Sequence, residues 1–272
     1  MRLALAGGAL AALALISVPA LGQVPAGYAP EPVGKAAPQA IPAEHLSPTT
    51  GAPDGVDWSG IWEPKPVPGT AWDWFPKDAP MTPDYKARYD KLRASMDAGH
   101  ADFEPAANCE PLGMPRFMSN VYGMEIWHRS GMLGIYGEYP GFFRHIHIGR
   151  EHPAPDDLDA SYYGDSVAHW EGKDLVVDTV GIRGNVLLSR DGAMISDSAQ
   201  VKERIHQVDQ DTLTDTMTLI DPKALTRPWT IVKTYKRAPK NTESMEYFCT
   251  QNNRHPTNAD GTVTTVLREG VK

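Results

Sequence analysis

The chain has 272 residues, of which 26 are Lys or Arg and 34 are Asp or Glu, giving a formal charge of −8. Such a modestly acidic chain lacks the basic face of nucleic-acid-binding proteins, so we expect no nucleic-acid partner. The length fits one large β domain or two small ones.

Residues 1–22 have the pattern of a secretory signal peptide. Arg2 gives a positive start, residues 3–18 form an apolar run, Pro19 interrupts it, and small residues lead to Gly22. This order predicts cleavage after Gly22 and a periplasmic or secreted location. No later stretch is long and apolar enough to cross a bilayer, so we expect no membrane span.

The rest of the chain divides into three regions. Residues 23–56 are rich in Pro and Ala and have no apolar period, which is typical of a disordered linker. A single β domain is predicted for residues 57–254, and a C-terminal tail for 255–272. We expect Cys109 and Cys249 to form a disulfide because an exported protein meets an oxidising environment; two buried thiols are the alternative.

The clearest helix is predicted over residues 82–98. Thr82 suits the N-cap, Pro83 suits the first turn, and Gly99 ends the pattern. Apolar side chains recur at helical spacing on one stripe: Tyr85, Tyr89, Leu92 and Met96. We expect this stripe to pack against a sheet.

From residue 121 onward, short strands alternate with turn signals such as Pro140-Gly141 and Gly172-Lys173. About nine strands are predicted, the last of them over residues 244–250. This order indicates an antiparallel meander closed into a lipocalin- or calycin-like β-barrel, with the helix outside. The interior of such a barrel is where we expect a small apolar or aromatic molecule to bind.

The stretch FFRHIHI places Arg144 on the same face as Phe142, Ile146 and Ile148. If that face is interior, the buried guanidinium needs a carboxylate or an anionic ligand. Glu125 and Glu138 lie in apolar strands and are the predicted partners. Either carboxylate is also a candidate acid or base, with a structural ion pair as the alternative.

A metal site is a weaker hypothesis for the same stretch. His145 and His147 share a strand face, and Glu151 follows four residues after the second histidine. Two imidazoles and a carboxylate can form a facial triad for iron or manganese. The alternative is a histidine-bearing barrel wall, which we favour, and we expect no metal or other cofactor.

The run DSVAHWE supplies the main catalytic candidate. His169 is predicted to act as a general base, oriented by Asp165 on the same strand face. His152 lies in a long loop and is a second candidate. Ligand-contacting aromatic residues are predicted nearby: Tyr136, Tyr163 and Trp170.

Several blocks resemble a family of uncharacterised secreted bacterial proteins with a G-H-S-x-G-H-W-E-G-D-x-L-V-V-D-T core. These blocks are PLGMPRFM, GREHPAPDDLDASYYGDSVAHWEGKDLVVDTVGI, DPKALTRPWTIVKTYKR and MEYFCTQNNR. The resemblance implies a shared fold and export, and it implies no established activity. The matching positions are Arg144, His152, Gly164, Ser166, His169 and Trp170. The sequence departs from the family pattern at His145, His147 and Asp165.

Three functions remain open from the sequence. The first is a cofactor-independent isomerase, dehydratase or lyase in which His169 or His152 moves a proton while Arg144 and Glu138 stabilise charge. The second is a non-catalytic binding protein for a small apolar or aromatic molecule. The third is a cupin-like metal oxygenase that uses His145, His147 and Glu151.

Overall fold

The protein folds into a closed barrel of nine β-strands in sequence order. The computed structural model describes residues 52–53, 56–65, 79–100, 104–105, 109–129, 131–139, 141–189 and 192–247, all within a compact unit that spans Ala43–Lys272. The strands are β1 (Gly60–Pro64), β2 (Met124–Arg129), β3 (Met132–Gly137), β4 (Phe142–Ile148), β5 (Asp165–Glu171), β6 (Asp174–Val180), β7 (Gln200–Asp209), β8 (Thr212–Ile220) and β9 (Trp229–Arg237). The predicted barrel is confirmed.

Buried and exposed side chains alternate along the strands, and the buried ones form the core. On β7, Val201, Glu203 and Ile205 are buried, while Lys202 and Arg204 between them are exposed. Side chains of successive residues point to opposite faces of a strand, so one phase of each strand faces the barrel interior. A charged residue therefore occupies an inward position on β7.

One strand pair departs from the predicted antiparallel meander. Strands β4 and β5 are parallel and share three residue pairs, the first of which is Ile146 with Ser166. The connection over residues 149–164 carries the chain back along the barrel before β5 begins, so β5 runs in the same direction as β4. The other strand neighbours in the barrel are antiparallel.

The barrel closes through β1 and not through the last predicted strand, residues 244–250. Strand β1 pairs with β9, where Trp62 lies opposite Arg237, and with β2 on its other side. Residues 244–247 form no strand, and 248–250 lie outside the described residues. Trp62 is fully buried, and this burial of apolar surface stabilises β1 in its place beside β9.

The predicted helix is present as α1 (Pro83–Asp97). Thr82 occupies the N-cap position, but its hydroxyl donates to the Lys223 carbonyl at 2.9 Å instead of capping the helix. Tyr85 is the buried residue of the apolar stripe. Within the part of the chain that the structure describes, no helix is long and apolar enough to cross a membrane.

Large side chains cover both ends of the barrel. At one end Trp58 is fully buried, stacks edge-on against Trp170 at 5.1 Å, and donates its indole N–H to Gln207 at 3.2 Å. At the other end the Tyr235 hydroxyl donates to the Met118 carbonyl at 2.6 Å. These contacts pack large side chains against the interior at both ends of the barrel.

Candidate functional site

Arg144 is the centre of a hydrogen-bonded network inside the barrel, and its side chain has no exposed surface. Its Nη1 donates to Glu203 Oε1 at 2.9 Å, and its Nη2 donates to Glu203 Oε2. Nη2 also lies 3.2 Å from Ser166 Oγ and 3.1 Å from Thr179 Oγ1. Each of the four strands β4 to β7 therefore contributes one side chain to the network around this ion pair.

The inward orientation of Arg144 agrees with the alternation of β4, but its carboxylate partner comes from β7. Glu125 instead accepts hydrogen bonds from the Trp127 indole at 2.8 Å and the Ser244 hydroxyl at 2.9 Å. Glu138 accepts from the backbone N–H of Met245 at 3.1 Å. Both predicted partners thus hold the segment that follows β9, and neither contacts Arg144.

The polar interior continues across β8 and β9. Burial and the negative charge of Glu203 raise the pKa of the Asp215 carboxyl well above its usual range. Burial lowers the pKa of the Lys233 ammonium group to about 7. Asp215 and Lys233 lie opposite each other in the β8–β9 register. The raised pKa favours the neutral form of Asp215 beside the Arg144–Glu203 pair, which limits the net charge of this interior.

A cleft opens in the barrel wall where β4 and β5 separate. It has a volume of about 290 Å³. Its lining consists of Phe143, His145, His147, Ser161, Tyr163, Gly164, Asp165 and Ser166. Because Ser166 lines this cleft and also contacts Arg144, the floor of the cleft adjoins the interior network.

The polar residues that line the cleft differ in burial and in charge. Tyr163 lines the cleft, but its hydroxyl is buried and has no hydrogen-bond partner among the described residues, and burial raises its pKa. Burial lowers the pKa of His147, and the nearby positive charge of Arg150 acts in the same direction. His147 is therefore neutral at pH 7. Asp165 accepts from Arg150 Nη2 at 2.9 Å, so its negative charge is paired.

His152 lies beside the cleft, held by two carboxylates. Its Nδ1 is 3.3 Å from Asp165 Oδ1, and its Nε2 is 3.8 Å from Asp178 Oδ2. The Nε2 atom is buried and makes no hydrogen bond to the described residues. A carboxylate within reach of one ring nitrogen orients the imidazole, an arrangement that suits a general base.

A ladder of aromatic side chains runs across the outer face of β2, β3 and β4 and reaches the cleft. Ring centroids of Trp127 and Phe143 are 5.3 Å apart, and those of Tyr136 and Phe143 are 4.9 Å apart. Phe143 also stacks on His145 at 6.4 Å. Phe143 is 45% exposed, so one wall of the cleft is an accessible aromatic ring.

The structure places His169, Trp170 and Tyr136 outside the lining of this cleft. The His169 side chain is 64% exposed on the outer face of β5, and its Nε2 lies 3.2 Å from Glu171 Oε1. Trp170 packs against Trp58 at the covered end of the barrel. Tyr136 belongs to the aromatic ladder, while Tyr163 lines the cleft. Of the proposed proton-transfer histidines, His152 is the one that adjoins the cleft.

The metal hypothesis finds no support in the part of the chain that the structure describes. His145 and His147 both line the cleft, but Glu151 is exposed beyond the end of β4 and does not line it. No group of three His, Cys, Asp or Glu residues within the described ranges is arranged to hold a metal ion. The Cys109–Cys249 disulfide stays a prediction because Cys249 lies outside those ranges.

The charged residues that share the barrel interior with Arg144 were not predicted, although the sequence carries a signal for them. Glu203, Asp215 and Lys233 each interrupt an otherwise apolar phase of a strand, namely V-x-E-x-I on β7, L-x-D-x-M on β8 and I-x-K-x-Y on β9. Charged residues at inward positions require partners of opposite charge or a changed protonation state. The same rule that singled out Arg144 therefore applies to all three.

Comparison with known proteins gives no family for this chain. No family model matches the chain, and no curated protein matches it. Among solved structures it is similar to crystal structures of the fluorescent protein UnaG, wild type and a mutant, each with a TM-score of 0.29 and 13% sequence identity. These matches cover 66% of this chain and 97% or 96% of the other. The resemblance to uncharacterised secreted proteins stays a prediction.

Proposed function

We propose that this protein binds a small apolar or aromatic molecule in the cleft between β4 and β5. The observation that carries the proposal is a cleft of about 290 Å³ that combines an exposed aromatic wall, Phe143, with the polar side chains of His145 and His147. Small-molecule sites typically pair apolar walls with a few polar groups that fix orientation.

The parallel pairing of β4 and β5 explains why the wall opens at this place. The paired residues begin at Ile146 and Ser166, so the earlier part of β4 has no registered partner on β5. Phe143 and His145 therefore face the segment Ser161–Asp165 across a gap. Gly164 adopts a φ of +65° there, which turns the chain into β5.

Binding to naphthalene, followed by backbone amide shifts in NMR spectra, tests the cleft. We expect the largest shifts at Phe143, Gly164 and Ser166. Ser161→Trp should abolish them because Ser161 is exposed at the cleft and an indole there fills it. Val232→Trp is the matched control, since Val232 is 54% exposed on β9, across the barrel. Shifts centred elsewhere, or retained in Ser161→Trp, would contradict the proposal.

Acid–base catalysis at the same cleft is the second candidate function. The contact of His152 Nδ1 with Asp165 Oδ1 favours it, because Asp165 lines the cleft and orients the imidazole beside it. In such a reaction a base removes a proton from a carbon next to a carbonyl group and returns a proton to the product, so no cofactor is required.

Proton exchange on 2-tetralone in deuterated water tests catalysis. We expect wild-type protein to accelerate loss of the α C–H signal, and His152→Gln to abolish the acceleration while naphthalene binding persists. His206→Gln is the control, because His206 is an exposed histidine that also pairs with a carboxylate, Asp174, at 2.6 Å. Binding without exchange in the wild type would favour the non-catalytic protein.

We also propose that the protein acts outside the cytoplasm, on the strength of the signal-peptide pattern in residues 1–22. Expression of the full chain in a bacterial host, followed by N-terminal sequencing of the periplasmic fraction, tests this directly. A mature N-terminus at Gln23 is expected. Retention of Met1 on a cytoplasmic product would contradict export.

A further inference from the structure

We infer that the cleft binds a short, extended peptide segment that carries an aromatic side chain, and that this segment pairs with the free backbone edge of β4. The inference rests on the proposed function and specifies the chemical class of its ligand. Two features of the described residues carry it: backbone groups of β4 that face the cleft without a partner strand, and an exposed aromatic ring on the same strand.

The backbone of β4 directs alternate residues towards its two neighbouring strands. At the end of β4 the Ile148 N–H donates to the β2–β3 turn at 2.8 Å, whereas the next N–H, that of Gly149, donates to the Ala168 carbonyl on β5 at 2.9 Å. In an extended strand the N–H and C=O of one residue point to one side, and those of the next residue point to the other. The backbone groups of Phe143 and His145 are in phase with Gly149 and therefore point towards the β5 side.

The β4–β5 register begins only after these two residues. The described residues make no hydrogen bond to the N–H or carbonyl of Phe143 or to the N–H of His145. The opposite wall of the cleft directs its own backbone elsewhere, because the Ser161 N–H donates to the Gly181 carbonyl at 3.0 Å. Unpaired backbone donors and acceptors at the edge of a strand are a template for one more extended segment.

The position of this edge favours a single segment over a strand of a second barrel. The edge lies in a cleft of about 290 Å³ whose other wall is formed by residues of the segment Ser161–Asp165. A strand that belongs to a folded sheet brings its neighbouring strands, and this wall stands in their way. From Phe143 to His147 the strand extends about 13 Å, which matches three or four residues of a ligand. Addition of a strand through main-chain hydrogen bonds is a recurring mode of peptide recognition.

The surroundings of the edge indicate which side chains the segment carries. Side chains of an added strand point alternately outward and inward, and an outward one lies beside Phe143, whose ring is 45% exposed. Pairs of aromatic side chains on adjacent strands stabilise a sheet. On the inner side Arg144 and Ser166 are each 1% exposed, so the interior is filled there and glycine suits an inward position. The expected ligand therefore has an aromatic residue next to a glycine.

Calorimetric titration of the full chain with the capped tetrapeptide acetyl-Thr-Phe-Gly-Thr-amide tests the inference. His145→Pro removes the N–H that faces the cleft and leaves the hydrogen bonds between β4 and β3 in place. His145→Ala is the matched control, because it removes the same imidazole and keeps the N–H. We expect His145→Pro to bind the peptide about tenfold more weakly than His145→Ala, the ratio that one backbone hydrogen bond supplies. Equal affinities of the two variants would overturn the inference.

Two N-methylated peptides test the pairing without any change to the protein, and they decide the question if circular dichroism shows His145→Pro to be unfolded. One peptide is methylated on the phenylalanine amide and the other on the glycine amide. Successive amides of a strand point to opposite sides, so only one of the two N–H groups faces β4. We expect one methylation to weaken binding about tenfold and the other to leave it nearly unchanged. Equal effects of the two methylations would overturn strand pairing.

The naphthalene experiment distinguishes failure of the inference from failure of the proposed site. Naphthalene binding that Ser161→Trp abolishes, with no binding of the peptide, keeps the cleft and overturns the peptide class. Failure of both naphthalene and the peptide to bind overturns the proposed site and the inference together. A dimer in analytical ultracentrifugation that His145→Pro dissociates and His145→Ala preserves would assign the edge to a second copy of this chain, and it would also overturn the inference.

Discussion

Arg144 Nη1 lies 2.9 Å from Glu203 Oε1 although 59 residues separate them in the chain. Both side chains have no exposed surface. Such a pair gains stability only through good geometry and further hydrogen bonds, because the desolvation of two charges is costly. The bidentate contact and the hydroxyls of Ser166 and Thr179 meet that condition.

Removal of one partner should destabilise the barrel far more than removal of both. Arg144→Met leaves Glu203 as a buried unpaired carboxylate, so we expect a loss of about 3–5 kcal/mol in the free energy of unfolding. The double variant Arg144→Met/Glu203→Leu should lose much less. Urea unfolding of the two single variants and the double variant measures this coupling.

A surface pair provides the control for that experiment. Lys202 Nζ lies 3.1 Å from Asp178 Oδ2, and the lysine side chain is 51% exposed. Lys202→Ala should change stability by about 0–1 kcal/mol because water screens the pair. For the buried pair, the contradicting outcome is additivity. If the stability loss of Arg144→Met/Glu203→Leu equals the sum of the losses of the two single variants, Arg144 and Glu203 do not form the pair in solution.

Asp215 should make stability fall as pH rises. Its pKa is raised in the folded state by burial and by Glu203, so the folded protein holds a proton that the unfolded chain releases above about the usual value of 3.8. The contribution of Asp215 is therefore present at low pH and lost as pH increases towards the folded pKa. Relative to wild type, Asp215→Asn should gain stability as pH is raised from about 4, which urea unfolding at a series of pH values would detect. A constant difference would contradict the raised pKa.

Lys233 should have the opposite pH dependence. Its folded pKa of about 7 lies below the ordinary 10.5, so folding releases a proton and stability rises with pH between these two values. Below pH 7 the cost is complete and equals up to about 5 kcal/mol. Lys233→Met should therefore be most stabilising below pH 7 and least above pH 10. Thermal unfolding across this range checks the trend, and a gain that grows with pH would contradict it.

Gly164 and Gly172 form a matched pair for testing the edge of the cleft. Both have a positive φ, +65° and +63°, that L-residues rarely adopt. A Cβ at Gly164 would lie 2.4 Å from the Val180 carbonyl oxygen, whereas a Cβ at Gly172 meets no atom within 4 Å. Gly172→Ala should cost about 1–2 kcal/mol from backbone strain alone, and Gly164→Ala clearly more. Equal losses in urea unfolding would mean that the β5 entry is not packed as described.

The barrel could be predicted because its signals are local. Turn residues such as Gly172 and Lys173 mark where strands reverse, and alternation shows which side chains share a face. FFRHIHI therefore groups Arg144 with Ile146, and the structure shows that this face is interior. The parallel β4–β5 pair could not be predicted in this way. Turn signals mark the ends of a connection, but residues 149–164 are long enough to lead to either strand direction.

The sequence by itself determined which side chains share a strand face, since alternation depends only on neighbouring residues in an extended strand. It also indicated, through a charged residue on an apolar phase, that partners must exist inside. Only the tertiary structure decided that Glu203 is the partner of Arg144 and that the cleft opens at Tyr163. Those outcomes depend on strand register and on how the barrel closes. Both are set by contacts between segments that lie far apart in the chain.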